Sequence, residues 1–498
     1  MNQRKLGVAI SYITLAFNIV VGMVYTPFMI SKLGDGLYGI YSLANSLISF
    51  VTLLDLGFGQ TLVRYISQAR VTGNREEEHK LNGFFLKLYF FISLIALIIG
   101  ISVIYVYPVV AANTFSSDET YLFRIVFSIL LVNVVISFPM SVFSATLNVY
   151  EQFFPLKLTN FIMAVVKYVS MFLLLLFGYK LIAITVVSFI CSLAMQCFYL
   201  IYSVKKIGIK FDFSKIQTNL TAEIVHFSFF IFLNLIIDFL YSNTDKLILG
   251  AVSGTIAVSV YSIGIYFTTY FSELSSAMSG VFMPRIMALY KDNNKKEISN
   301  LFNRVGRLQM ALLFLVLGGY ICLGKEFIQL WVGLSYRDSY TIGLLIMLPS
   351  IVPLTQNVGI TIIRAMNIHK YRSYMYIAIA ILNVVISIPL AIRYGGIGSA
   401  IGTCIATILG QIAFMNVFYA KKAYINIKEY WKNFFLFFLL TAGVTVLMNF
   451  IKKYILVSTW GTFALMAALF STVYAFWYWY VIANDYEKDI VKKFVRRK

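Results

Sequence analysis

Charge is scarce in this chain. Only 12% of its 498 residues are Asp, Glu, Lys or Arg, about half the share that a water-exposed surface requires. That excludes an ordinary soluble globule. Histidine and cysteine are scarcer still. His79, His226 and His369 are scattered, and Cys191, Cys197, Cys322 and Cys404 lie in apolar stretches without CxxC spacing. No zinc site and no disulfide framework follows from them, and buried thiols are expected. There is no GxxxxGK[ST], no HExxH and no GxSxG, so neither a nucleotide, a metalloprotease centre nor a serine elbow is encoded, and no cofactor is expected.

What is present is apolar. Hydrophobic residues make up 60% of the chain, with 44 Phe and 34 Tyr, as expected of many helices crossing two membrane interfaces. A span needs about 20 mostly apolar residues. Fourteen stretches qualify, at about 8–30, 37–58, 84–108, 121–147, 156–178, 181–203, 223–250, 255–284, 308–330, 339–363, 374–394, 396–419, 432–451 and 459–482. The basic start, Met1 to Lys5, runs into the first stretch without a small-residue cleavage site and reads as a retained span. The predicted class is an all-α polytopic membrane protein.

The net charge of +20 does not point to nucleic acid, because the basic residues sit between apolar stretches. With the N-terminus inside, alternate loops hold 31 Lys and Arg on the inner side and 7 on the outer. Lys and Arg are retained in cytoplasmic loops, so both termini are expected to be cytoplasmic. The basic loops 64–87 and 285–307 carry apolar positions at helical spacing, as surface helices on anionic lipid would.

An internal repeat recurs at an offset of 220. Gly34 matches Gly254, Tyr41-Ser42 matches Tyr261-Ser262, Asn74-Arg75 matches Asn294-Lys295, Glu77 matches Glu297 and Leu81 matches Leu301. Leu147-Asn148-Val149 against Met366-Asn367-Ile368 follows at 219. Six spans fill the period, so the copies share one orientation about an axis along the membrane normal. Two six-helix lobes are expected, 1–220 and 221–425, with a further helix pair and basic tail at 426–498.

The run Leu33-Gly34-Asp35-Gly36-Leu37-Tyr38-Gly39-Ile40-Tyr41, followed by Leu54-Asp55-Leu56-Gly57-Phe58-Gly59 and Arg64-Tyr65, resembles the first-to-second-helix signature of the bacterial polysaccharide flippases. These form the Wzx-like branch of the multidrug/oligosaccharidyl-lipid/polysaccharide exporter superfamily. The resemblance implies an alternating-access transporter in the cytoplasmic membrane with a cavity between lobes. Its cargo would be an undecaprenyl-diphosphate-linked sugar unit whose lipid stays in the bilayer. With no nucleotide-binding pattern, energy must come from the substrate gradient or from an ion gradient, H+ or Na+; a glycan polymerase and glycosyltransferases are expected partners. A cation-coupled multidrug exporter is one alternative; a membrane glycosyltransferase or polymerase is another, but the chain has no sizeable extramembrane loop.

Ionisable groups at mid-membrane are costly unless they face a cavity or a partner, which singles out seven. Lys167 is about 16 Å from either end of its span at 1.5 Å per residue, too deep to snorkel easily; it suits a diphosphate, or an ion pair with an acid. Arg124 is one turn inside the fourth span, placed for phosphate at the outer face or for snorkelling. Asp238 matches Asn18 at the repeat offset, and both fit a cation or proton site, sugar hydroxyls, or a plain interhelical hydrogen bond. Asp245 and Lys246 are adjacent and diverge by about 100° around the helix. Glu273, with Ser272, Ser275 and Ser276, fits a polar stripe or a partner for Lys167 or Lys246. Asp55 and the signature residue Arg64 fit a gate, or structural pairing to neighbouring helix ends or lipid phosphate; nine residues of helix would set them on opposite faces, and Gly57 and Gly59 invite a break between them. Pro349 and Pro353 bracket Ser350 and invite a kink, and Gly395-Gly396 a tight turn.

Overall fold

The computed structural model describes residues 3–216, 218–279, 282–292, 294–366 and 368–489. Among them the regular structure is entirely helical. That is the physical consequence of the composition: in hydrocarbon each backbone N–H and C=O must be satisfied within its own segment or in a closed barrel.

The chain forms two compact units, 1–259 and 260–498. The first holds α1 (Gln3–Leu33), α2 (Asp35–Thr52), α3 (Phe58–Val71), α4 (Arg75–Val110), α5 (Ser117–Val149), α6 (Phe153–Leu176), α7 (Leu181–Ile201) and α8 (Thr218–Val252). Helix α9 (Gly254–Ser279) begins there and continues into the second unit. That unit also holds α10 (Met283–Lys291), α11 (Lys295–Val332), α12 (Arg337–Thr355), α13 (Asn357–Ala365), α14 (His369–Ala406), α15 (Met415–Lys422), α16 (Ile427–Lys452) and α17 (Trp460–Trp477).

Among the described residues eleven helical runs are long and apolar enough to span a membrane. One of them, Tyr374–Lys422, is two helices joined across Gly395, whose φ of 57° and ψ of −137° interrupt α14. With α8 and α9, of 35 and 26 residues, the described residues of the fourteen expected spans fall mostly on helix, with breaks at Leu56–Gly57 and Gln356. A kink is expected around Ser350, between Pro349 and Pro353. Both prolines remain inside α12, and the helix breaks at Gln356 before α13 resumes. A proline withdraws a donor from the turn around it, and here the chain opens three residues beyond the second one.

The repeat is visible in local geometry. Gly34 and Gly254 both adopt φ of 84° at the entry of a helix, where a side chain would be strained. Asn74 and Asn294 each accept a hydrogen bond at 3.1 Å from the backbone N–H three residues on, Glu77 and Glu297 respectively. Such a cap satisfies an orphan donor at the start of a long helix.

Close approach at glycines ties the first unit. On α2, a Cβ at Gly39 would sit 1.9 Å from the Thr255 carbonyl oxygen, and one at Gly250 would sit 2.4 Å from the Tyr107 hydroxyl. Only glycine admits these seams, as small residues do between membrane helices. Tyr107 Oη then donates to the Leu247 carbonyl at 2.9 Å and Thr114 Oγ1 to that of Gly250 at 3.0 Å.

In the second unit, α11 packs against α12, α16 and α17. Its Arg307 is held by groups from 126 to 180 residues away. Nε and Nη2 donate to the two Glu487 oxygens at 2.7 and 3.1 Å, Nη1 to Asn433 Oδ1 at 2.7 Å, and Nη2 also to the Ile482 carbonyl at 2.9 Å. Glu487 is 3% exposed, so the pair fastens the terminal helices to α11. Arg307→Ala strands a buried carboxylate, which costs about 3–5 kcal/mol. The purified variant should unfold at a clearly lower temperature than the parent, whereas Arg307→Met with Glu487→Leu should recover most of the loss. An unchanged melting temperature in Arg307→Ala would show that the pair does not hold the helices.

Candidate transport site

Helix α6 has one apolar stripe turned outward: Ile162, Val166, Val169 and Leu173 are each 44–52% exposed. Leu156, Met171 and Leu175 are buried on another side. Lys167 follows Val166 and therefore points about 100° away from that stripe. It is half-buried. Its Nζ lies 4.9 Å from the Tyr168 ring centroid, close enough for a cation–π attraction, and Cys191 of α7 is a further electrostatic neighbour.

The aromatic wall beside Lys167 comes from three helices. Tyr168 packs edge-on against Tyr25 and Phe17 of α1, with centroids 5.6 and 6.2 Å apart, and Phe17 meets Phe161 at 5.6 Å. Tyr41 of α2 is in electrostatic range of both Tyr25 and Tyr168. The buried Tyr25 hydroxyl has no hydrogen-bond partner, an arrangement that costs about 1–3 kcal/mol if nothing else meets it. One ammonium and a cluster of phenols thus offer positive charge and donors within an apolar bundle. Lys167 was legible as a candidate in the sequence; Tyr25, Tyr41 and Tyr168 were not. Tyr41 lies in the signature run and Tyr168 is adjacent to Lys167, but 34 tyrosines dilute such hints.

The other two candidate cations of the first unit are Arg124 and Lys246. Arg124 on α5 is exposed, with its guanidinium carbon 5.7 Å from the Tyr105 ring centroid. Lys246 on α8 is half-buried and the adjacent Asp245 is buried. Among the described residues the ion pairs are Lys80–Glu76, Arg304–Glu297, Arg307–Glu487 and Lys452–Glu326. None contains Arg124, Lys167 or Lys246. Asn18 is exposed on α1, one residue beyond Phe17. The Asp238 side chain lies outside the described residues.

Asp55 and Arg64 do not meet. A short 3-10 turn at Leu53–Asp55, Leu56 at φ 51° and Gly57 at φ 80° break the helix between α2 and α3. Asp55 closes that break. Its Oδ1 accepts from the Tyr89 hydroxyl at 2.8 Å and its Oδ2 from the Gly59 N–H at 3.2 Å. Arg64 instead lies over the Phe227 ring of α8 at 4.1 Å, beside Tyr65, whose hydroxyl donates to Glu223 Oε1 at 2.9 Å.

In the second unit Glu273 is exposed on α9, and the hydroxyls after it belong to a network the sequence only half displayed. Gln309 Nε2 of α11 donates to Ser275 Oγ and Ser279 Oγ at 3.2 and 2.9 Å, and Asn357 Nδ2 to Ser275 Oγ at 3.2 Å. Ser275 Oγ itself donates to the Leu354 carbonyl at 2.6 Å, just before the break at Gln356. The serines stood out as a stripe, whereas Gln309 and Asn357 sit at the edges of their spans.

Solved structures with the same fold are transporters. An inward closed lipid II flippase MurJ superposes with a TM-score of 0.71 at 18% identity, covering 96% of this chain and all of that one. An inward-facing multidrug resistance MATE family transporter of the MOP superfamily gives 0.64 at 12% identity, covering 79% and 93%. A membrane protein of Bacillus subtilis (strain 168), EpsK, described as uncharacterised, is 21% identical over 491 residues, 95% of this chain and 94% of its own. The model of a family described as polysaccharide biosynthesis protein matches residues 33–341, more than half of the chain, and the chain belongs to that family.

Proposed function

We propose that the protein flips undecaprenyl-diphosphate-linked oligosaccharide units across the bacterial cytoplasmic membrane by alternating access, for cell-surface polysaccharide assembly. The observation that carries this reading is Lys167: turned away from the exposed apolar stripe of its helix, over the Tyr168 ring, with no carboxylate in ion-pair range among the described residues. A diphosphate brings the negative charge that such a site is missing, and Lys serves phosphate as a point charge. Phenol hydroxyls donate to the remaining phosphate oxygens or to sugar hydroxyls. Arg124 and Lys246 add positive charge elsewhere in the first unit.

Within the same proposal the lobes are 1–220 and 221–425, the termini face the cytoplasm, and Asn18, Asp238 and Glu273 contact cargo. Asp55, Arg64 and Asp245 belong to coupling or gating, with Asp55 acting through the α2–α3 break that it closes. H+ or Na+ would drive the cycle, and the glycan polymerase and glycosyltransferases would stand on either side of it. The fold shared with a MATE transporter keeps a second reading in view, export of cationic drugs. Lys167, Lys246 and Arg124, in no ion pair among the described residues, disfavour it, since they repel a cationic cargo.

Lys167→Ala should lower flipping of a diphosphate-linked glycan in proteoliposomes by at least about tenfold, the value of one hydrogen bond to a charged group, at unchanged protein abundance; Lys167→Arg should retain most of it. Wild-type rates in Lys167→Ala would remove the residue from the pathway. The unaltered protein should move the glycan lipid and leave cationic dyes in place, and dye efflux without glycan flipping would favour the second reading.

A further inference from the structure

A groove of about 340 Å³ opens in the second unit between the start of α14 and the segment leading into α15. It lies within the size range of ligand pockets. Its walls are Tyr374 and Met375 on one side and Phe414, Val417 and Phe418 on the other, and Lys421 and Lys422 close one end. The π-helical turn Thr407–Phe414 sets up the second wall. After it, Phe414, Val417, Phe418 and Lys421 recur at spacings of three and four and so share one helix face. The Phe414 and Phe418 rings stack at 6.2 Å. Tyr374 and Val417 remain 68% and 50% exposed, so the groove is open to its surroundings.

The two lysines end a span, Tyr374–Lys422, at the boundary between hydrocarbon and water. Both are exposed, and among the described residues neither has a carboxylate in ion-pair range. From Phe414 to Lys421 the wall rises about 10 Å at 1.5 Å per residue. An apolar channel of that length ending in two ammonium groups matches an amphiphile with a chain and an anionic head. We infer that the groove is a binding site for an anionic diacyl phospholipid, one acyl chain between Tyr374 and Val417 and its phosphate on Lys421 and Lys422. It is separate from the Lys167 site and does not depend on the cargo proposed above.

Native mass spectrometry of the full-length protein, titrated with phosphatidylglycerol or with phosphatidylcholine of the same chains, tests this. Phosphatidylglycerol should bind in preference. In the Lys421→Gln/Lys422→Gln double variant that preference should fall about 30-fold, the worth of two lysines at an anionic surface, while the corresponding double arginine variant should keep it. Val417→Trp, which fills the groove, should weaken both lipids in protein that remains monodisperse. Equal binding of the two lipids by the parent, retained preference in the glutamine variant, or unchanged binding in Val417→Trp would overturn the inference. So would displacement of the phospholipid by a polyprenyl phosphate at equal or lower concentration, which would assign the groove to a carrier lipid.

Discussion

A cation inside an oily helix bundle persists only beside an acid, beside water, or beside an anion that visits it. This constraint gives the rest of the molecule its meaning. Where the chain wants a permanent pair it builds one, as at Arg307 and Glu487, with four hydrogen bonds converging on one guanidinium. Lys167 is treated differently: it is set off the outward stripe, given aromatic neighbours and supplied with no carboxylate among the described residues. One cation is paired, and the other has no ion pair among the described residues. The contrast is chemical, since both belong to the same apolar scaffold.

The scaffold follows from the same solvent argument. Helices are compulsory in hydrocarbon, but apolar side chains give helices no preference for one another over lipid. Specific packing therefore rests on seams where backbones touch and on polar atoms that cross between helices. Gly39 against Thr255 is such a seam, and Tyr107, Thr114 and Gln309 supply the crossings. The interruptions at Leu56–Gly57, Gln356 and Gly395 fall between those seams. At the first, the Asp55 carboxylate serves the Gly59 N–H and is itself held by the Tyr89 hydroxyl.

Features set by local chemistry were readable in the residues. Span number follows from run length, and the paired caps at Asn74 and Asn294 follow from a side chain and a backbone three residues apart. The break after Asp55 was announced by Gly57 and Gly59. Long-range choices were hidden. Nothing near Arg307 names Glu487, 180 residues on, and nothing near Lys167 names Tyr25, because in a chain this rich in aromatics any helix face can meet a ring. The break at Gln356 was hidden for a related reason: Pro349 and Pro353 mark where a helix is weakened, but nothing in the sequence names the partner of the Gln356 side chain, Asn416 at 2.9 Å.

The central claim is that Lys167 meets water and anions, not lipid tails. Its most direct test is the reactivity of a single cysteine placed there, Lys167→Cys, after Cys191, Cys197, Cys322 and Cys404 are replaced by serine or alanine, using a charged, membrane-impermeant thiol reagent on oriented proteoliposomes. The account requires rapid modification from one aqueous side, slowed by a diphosphate-linked glycan. A thiol that resists the charged reagent from both sides yet reacts with a lipid-soluble one would contradict it.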